Sequence, residues 1–261
     1  MLELRNVGFS YRKHSALRDV SVSFPESGIV CLVGPNGSGK STLLKSINRI
    51  IPPTGDVLFD GRNVRDMSVT EIAKTFGYVP QEISNAFPIT VFDMILLGRR
   101  AYLGWNPSNH DLDVVSENIS RMGLDDFTLR KVNESSGGER QKVLIATALS
   151  QEPRVLLLDE PTSNLDVKHQ LDVMRHLKKI VKDKKMLALM AMHDLNLASQ
   201  YSDEVVMLNK GSLFIHGKPE QVLTKQNIQT IYRVNVVIHK HGNTQHIVPV
   251  DDDGLCVIKG A

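Results

Sequence analysis

Only two cysteines occur in 261 residues, Cys31 and Cys256, at opposite ends of the chain. That excludes a disulfide framework and points to a reducing compartment. No run approaches the roughly 18 uninterrupted apolar residues that a spanning helix needs. Met1-Leu2-Glu3-Leu4-Arg5 also lacks the basic and apolar segments of a secretory signal. An excess of one charge is missing too: 31 basic against 29 acidic residues leave a formal +2, which gives nucleic acid no basic face to bind. A role at a membrane would therefore run through docking on a partner. What the chain does hold is 41% hydrophobic and 23% charged residues, enough for one globular domain with a real core and an inserted lobe.

Short strands are expected at Leu2 to Val7 and Val20 to Phe24, and a buried parallel strand at Ile29 to Val33 between two glycines. Behind Gly39 the period changes, and Leu43, Leu44, Ile47 and Ile50 are spaced for one helical face. Val91 to Leu149 reads as mostly helical, with turns near Leu103 to Asn109 and Lys131 to Gly138. Val155 to Leu158 and Met186 to Met192 read as buried strands around an amphipathic helix, Leu171 to Val181. Val205 to Leu208 and Ser212 to His216 form a predicted hairpin about Asn209-Lys210-Gly211, and Asn235 to His239 and Gln245 to Val248 are short strand candidates. Alternating strands and helices predict an α/β fold with a mostly parallel sheet, the central helices being a separate lobe.

Gly34-Pro35-Asn36-Gly37-Ser38-Gly39-Lys40-Ser41, followed by Thr42, fits G-x-x-x-x-G-K-[ST] between a predicted strand and a predicted helix. Glycines let backbone N–H groups turn inward to cradle phosphate, and the helix start adds positive potential. Lys40 supplies a point charge for the β- and γ-phosphates, and the Ser41 hydroxyl can ligate Mg²⁺. Asp159 and Glu160 close the strand Val155 to Leu158 at its carboxyl end, where ligands bind in parallel sheets. Asp159 suits the magnesium water shell, and Glu160 suits a general base that polarises the attacking water. His193 ends another strand at the same kind of edge, placed to reach the γ-phosphate.

Together these elements resemble the ATP-binding cassette (ABC) family over nearly the whole chain, with a phosphate-loop core, antiparallel N-terminal strands and an inserted helical lobe. The resemblance implies an ATPase domain over 1–240, a lobe at about 85–150 and a short β extension at 241–261. The family's second motif, usually Leu-Ser-Gly-Gly-Gln, corresponds to Ser135-Ser136-Gly137-Gly138-Glu139. Ser136 can cap a helix there whose start is a second anion site. By the likeness, each such signature completes the ATP site of a second copy, giving a homodimer with two ATP molecules. Ser135 replaces an apolar anchor, and Glu139 keeps the length of glutamine while adding charge. The likeness also implies Tyr11 as the adenine-stacking aromatic, Gln81 as a catalytic and Mg²⁺-contacting glutamine beside Ser41 and Asp159, and Ser163 and Asp166 in the loop through which protomers communicate.

A narrower likeness, to ATPases of ferric siderophore, haem and cobalamin importers, rests on Phe87-Pro88-Ile89-Thr90-Val91, Leu96-Leu97-Gly98-Arg99, Tyr102-Leu103-Gly104, His193-Asp194-Leu195-Asn196-Leu197-Ala198 and the hairpin Gly211 to Gly217. It implies a peripheral ATPase on the cytoplasmic face of the cell membrane, docked on a permease dimer and served indirectly by a substrate-binding protein. Phe87, Leu97, Tyr102 and Trp105 either fill the lobe or face the permease. His239, His241 and His246 have no cysteine or carboxylate at ligand spacing between them, so no further metal site is assigned. A regulatory GTPase would need Asn-Lys-x-Asp where this chain has Asn209-Lys210-Gly211-Ser212. The remaining alternative is a soluble cassette ATPase acting on an iron–sulfur assembly scaffold.

Overall fold

The structure, a computed structural model, describes residues 1–12, 14–81, 88–102, 104, 106–241 and 244–251. Its strands are β1 (Leu2–Tyr11), β2 (His14–Ser23), β3 (Gly28–Val33), β4 (Thr54–Phe59), β5 (Arg62–Asn63), β6 (Phe76–Val79), β7 (Val155–Asp159), β8 (Leu187–Ala191), β9 (Glu204–Asn209), β10 (Ser212–Gly217), β11 (Asn235–His241) and β12 (Thr244–Val250). Its α-helices are α1 (Lys40–Ile47), α2 (Val69–Thr75), α3 (Val91–Leu97), α4 (Asn109–Arg121), α5 (Gly137–Leu149), α6 (Val167–Lys184), α7 (Leu195–Tyr201), α8 (Pro219–Val222) and α9 (Lys225–Tyr232). They fall into two compact units: Met1–Pro25, Ile29–Asn63 and Ala191–Ala261 form the first, Glu26–Gly28 and Val64–Met190 the second.

In the first unit an antiparallel sheet runs β2-β1-β4-β5, and its apolar face is Leu2, Leu4, Val7, Leu17, Val20 and Val22. β3 pairs in parallel with β9, which turns back antiparallel into β10. Ile29 to Val33 are all buried, as a strand covered on both faces requires. Cys31 sits among them, its thiol pushed up to about 12 by burial, so it is an inert core residue. Cys256 lies outside the described residues. β11 and β12 form a two-stranded hairpin in which His239 faces His246 across the ladder. Among the described residues no three metal-binding side chains cluster.

α1 is one turn shorter than its apolar spacing predicts. It stops at Ile47 because Arg49 turns left-handed (φ 53°) and the Ile50 amide closes back on the Lys45 carbonyl at 2.9 Å, ahead of Pro52-Pro53. Ile50 is consequently 51% exposed and not part of the helix's buried face. The strand β4 and the pair α2–β6 carried readable signals of their own: Val57 and Phe59 alternate inward, and Ser68 with Glu71 forms a capping box.

In the second unit β6 and β7 are parallel, with β7 buried over its whole length, and β8 completes the order β8-β7-β6. The helices α3, α4 and α5 hold a buried cation. Arg99 is 1% exposed; its Nε donates to Asp111 Oδ1 at 2.8 Å, and one terminal nitrogen donates to the Ser150 carbonyl at 2.8 Å and to Glu152 at 2.7 Å. The Tyr102 ring covers its guanidinium at 3.9 Å, with Lys74 Nζ 4.4 Å from the same ring. Tyr102 also donates its hydroxyl to the Gln151 carbonyl at 2.9 Å, so this half-buried ring is tied down within the unit. Leu97, by contrast, is 53% exposed. Phe87, Leu103 and Trp105 lie outside the described residues. Among those residues no helix is long and apolar enough to cross a membrane.

Candidate functional site

The phosphate loop in the first unit links β3 to α1. Gly34, Gly37 and Gly39 take φ of 149°, 76° and 104°. A side chain on Gly34 would sit 2.3 Å from the Leu208 carbonyl, and one on Gly39 2.7 Å from the Ala16 carbonyl. Glycine is thus demanded by packing as well as by dihedral. Gly39 caps α1, whose first turn carries no acidic residue, leaving its N–H groups positive. Lys40 is buried and donates its ammonium to the carbonyls of Gly34 at 2.8 Å and Pro35 at 3.3 Å. Ser41 and Thr42 follow in the first helical turn.

The hairpin turn at Lys210 and Gly211, both left-handed, braces this loop. Gly211 donates its N–H to the Ser38 carbonyl at 3.0 Å and accepts from the Arg18 N–H at 2.8 Å. A Cβ at Gly211, which has φ 85°, would lie 2.7 Å from the Ala16 carbonyl. Gly211→Val should therefore destabilise the protein by about 1–3 kcal/mol and weaken ATP binding. Thermal unfolding and nucleotide titration check this; an unchanged affinity would separate the turn from the loop. Tyr232, at the end of α9, borders the same loop: burial pushes its phenol up, and the Gly34 backbone partly offsets this. Tyr11 is 47% exposed and meets Phe9 edge to face, with ring centroids 4.7 Å apart. His193 is exposed just beyond β8, and Asp194 caps α7 by accepting from the amides of Asn196 and Leu197. Asn196 then binds β12 in both directions, donating to the Ile247 carbonyl at 3.2 Å and accepting from the Ile247 amide at 2.7 Å.

The second unit holds the acidic pair. Asp159 is buried at the end of β7 and accepts from the Tyr78 hydroxyl at 3.3 Å. Glu160 is left-handed (φ 53°), an uncommon conformation for a residue with a side chain. Gln81 donates its amide to Glu160 Oε2 at 2.7 Å, and the Glu160 carbonyl accepts from the Ser163 amide and hydroxyl at 3.1 and 2.9 Å. Ser163 is thereby tied to Glu160. Asp166 caps α6 through the His169 amide at 2.8 Å, and its carboxyl is held below the usual range by that bond and by the imidazole.

Ser136 caps α5 in a full capping box: its N–H donates to Glu139 Oε2 at 2.7 Å, and the Glu139 N–H donates to Ser136 Oγ at 3.3 Å. Glu139 is held below its usual range first by the Ser136 backbone, and its negative charge lies where the helix dipole favours it. Ser135 is buried, and its hydroxyl bonds to nothing among the described residues. A polar group thus occupies an apolar place.

The ABC transporter family model matches residues 17–163. The chain belongs to the ABC transporter family. Within it, the chain is an ATP-binding, ATP-hydrolysing transport ATPase. This cassette is 34% identical over 252 residues to the petrobactin import ATP-binding protein FpuC of Bacillus anthracis, spanning 95% of the present chain and 93% of that one. A metal-chelate type ABC transporter in an inward-facing conformation superposes with TM-score 0.83 and 27% identity, over 97% and 98% of the two chains. A dimeric cassette in a post-hydrolysis state with ADP and Pi gives TM-score 0.74 and 30% identity, over 84% and 99%.

Sequence reasoning missed the support around the cassette's motifs. Gly211, Tyr232, Asn196, Tyr78 and His169 act across long separations, and only the Asn209-Lys210-Gly211 turn had a local signal.

Proposed function

We propose that the cassette drives an importer of metal chelates as a head-to-tail homodimer, each phosphate loop completed by the partner copy's signature. The observation that carries this reading is a pair of glycine-bearing helix starts in one chain: Gly39–Lys40, with no side-chain cap, and Ser136–Gly137, where Ser136 caps through the Glu139 amide. The dimer reading draws support from the ADP- and Pi-bound dimeric neighbour, and the import reading from the petrobactin relative and the metal-chelate transporter. These favour import over an assembly ATPase.

In the proposed reaction Tyr11 stacks on adenine, Gly34 to Thr42 wrap the phosphates, and Lys40 neutralises the β- and γ-oxygens. Glu160, oriented by Gln81 and Ser163, takes the proton of the attacking water, and His193 contacts the γ-phosphate. Mg²⁺ fits the residues present: a hydroxyl (Ser41), an amide oxygen (Gln81, whose nitrogen is committed to Glu160) and a buried carboxylate (Asp159) are all hard oxygen donors. When bound, it would neutralise phosphate charge. Residues 85–150 act as a lobe inserted in an ATPase domain of 1–240, with 241–261 as an extension. The lobe passes closure to a permease dimer on the cytoplasmic face of the membrane, and a substrate-binding protein delivers cargo.

Ser136→Arg is expected to abolish ATP-dependent dimerisation in light scattering while a single chain still binds ATP; dimers that persist would refute the trans arrangement. Import is tested with the cassette and its copurifying permease in vesicles. ATP on the cassette side should drive labelled ferric chelate toward that side, and movement the other way would overturn the reading.

A further inference from the structure

The segment from Glu160 to His169 is more than a connection between the acidic pair and α6. Its first half is fixed to Glu160, whose carbonyl receives both the amide and the hydroxyl of Ser163. Its second half lies under the start of α5. A Cβ on Gly137 would sit 3.8 Å from Leu165 Cδ2 and 4.0 Å from the Asn164 carbonyl, ordinary contact distances. A Cβ on Gly138 would meet the His169 ring at 2.5 Å (Cδ2) and 2.8 Å (Cγ), and His169 Cβ at 3.2 Å. The imidazole is therefore seated directly against the Gly138 backbone. It cannot swing aside freely, because Nδ1 lies 2.8 and 2.9 Å from the two Asp166 oxygens while the His169 amide also bonds Asp166. An N-cap alone needs only the amide bond; the imidazole adds a second hold that reaches another helix.

We propose that His169 is a positioning residue for the trans half of the ATP site: pinned by Asp166, it sets where the Ser136-Gly137-Gly138 amides stand relative to the Glu160–Asp166 segment. Within one protomer, the backbone of the general base for one nucleotide and the anion donors for the other then move as one piece. The inference rests on the head-to-tail reading above. A side chain on Gly138 would accordingly meet the cassette's own α6.

Closure is measured by light scattering with ATP in Glu160→Gln, with and without His169→Ala, and single-chain ATP affinity is measured alongside. Failure of Glu160→Gln itself to dimerise would sink the head-to-tail reading. If it dimerises, His169→Ala should raise the protein concentration for half-closure about tenfold with ATP affinity unchanged, a coupling typical of residues in direct contact. Equal closure in both overturns the role of His169 and leaves the dimer intact. Steady-state kinetics give the second readout. Gly138→Ala should lower kcat about tenfold with little change in KM in the parent, and by no more than about twofold beside His169→Ala, where the clash is relieved. An equal penalty in both backgrounds also overturns it.

Discussion

Glu160→Gln is expected to lower ATP turnover by about 10²–10⁴, the usual contribution of a positioned general base, with ATP binding retained. The substitution is nearly isosteric. A glutamine oxygen at position 160 can still accept from Gln81, whose amide lies 2.7 Å from Glu160 Oε2, and the backbone tie to Ser163 does not involve the side chain. The left-handed conformation at 160 (φ 53°) costs the same with either residue. What is lost is the carboxylate's negative charge and with it the ability to take a proton. Single-turnover measurements with excess protein isolate this step, and light scattering should show closed dimers accumulating under ATP. Near-normal turnover would falsify the assignment.

Arg99→Leu is expected to destabilise the protein by about 3–5 kcal/mol, because it strands the buried Asp111 carboxylate. At roughly 2–4 °C per kcal/mol for a chain of this size, the midpoint of thermal unfolding should fall by about 10 °C. The sign of the pH dependence follows from Asp111. The Ser108 hydroxyl and amide, and then Arg99, lower its pKa from 3.8 to about 2. A lowered carboxylate pKa contributes stability that is complete above the unfolded value and disappears as pH falls from about 4 toward about 2. In Arg99→Leu one of these influences is gone, so the Asp111 pKa moves back toward its unfolded value and the variant's stability deficit should be largest near neutral pH and shrink as pH falls through this window. A fall of under about 1 kcal/mol, comparable to an exposed pair, would show that the three helices do not depend on this cation.

The motifs were legible in the sequence because each is local: a glycine loop between strand and helix, two carboxylates ending an apolar run, a serine and glutamate three residues apart. Two buried β-strands were legible for the same reason, since Ile29 to Val33 and Val155 to Leu158 are short, branched or leucine-rich, and bounded, whereas β4, β5 and β6 were not read and β2 was read only from Val20 onward. Ile50 shows the limit of periodicity. Its spacing continues the face of Leu43 and Ile47, but Arg49 in a left-handed turn ends the helix first, and no spacing rule registers that. Arg99 was seen as part of a motif, while its partners at 111, 150 and 152 come together only through tertiary packing. His169 gave no signal, because its distinguishing neighbour is a glycine 31 positions earlier whose place depends on the loop between.

Asn196 engages residue 247 through that residue's main chain alone, using both the oxygen and the nitrogen of its amide. The main-chain part of this hold needs no particular side chain at 247, although Ile247 is itself buried; a proline there, lacking the N–H, would remove one of its two bonds and leave the Gln245 amide on Ser199 Oγ at 3.3 Å.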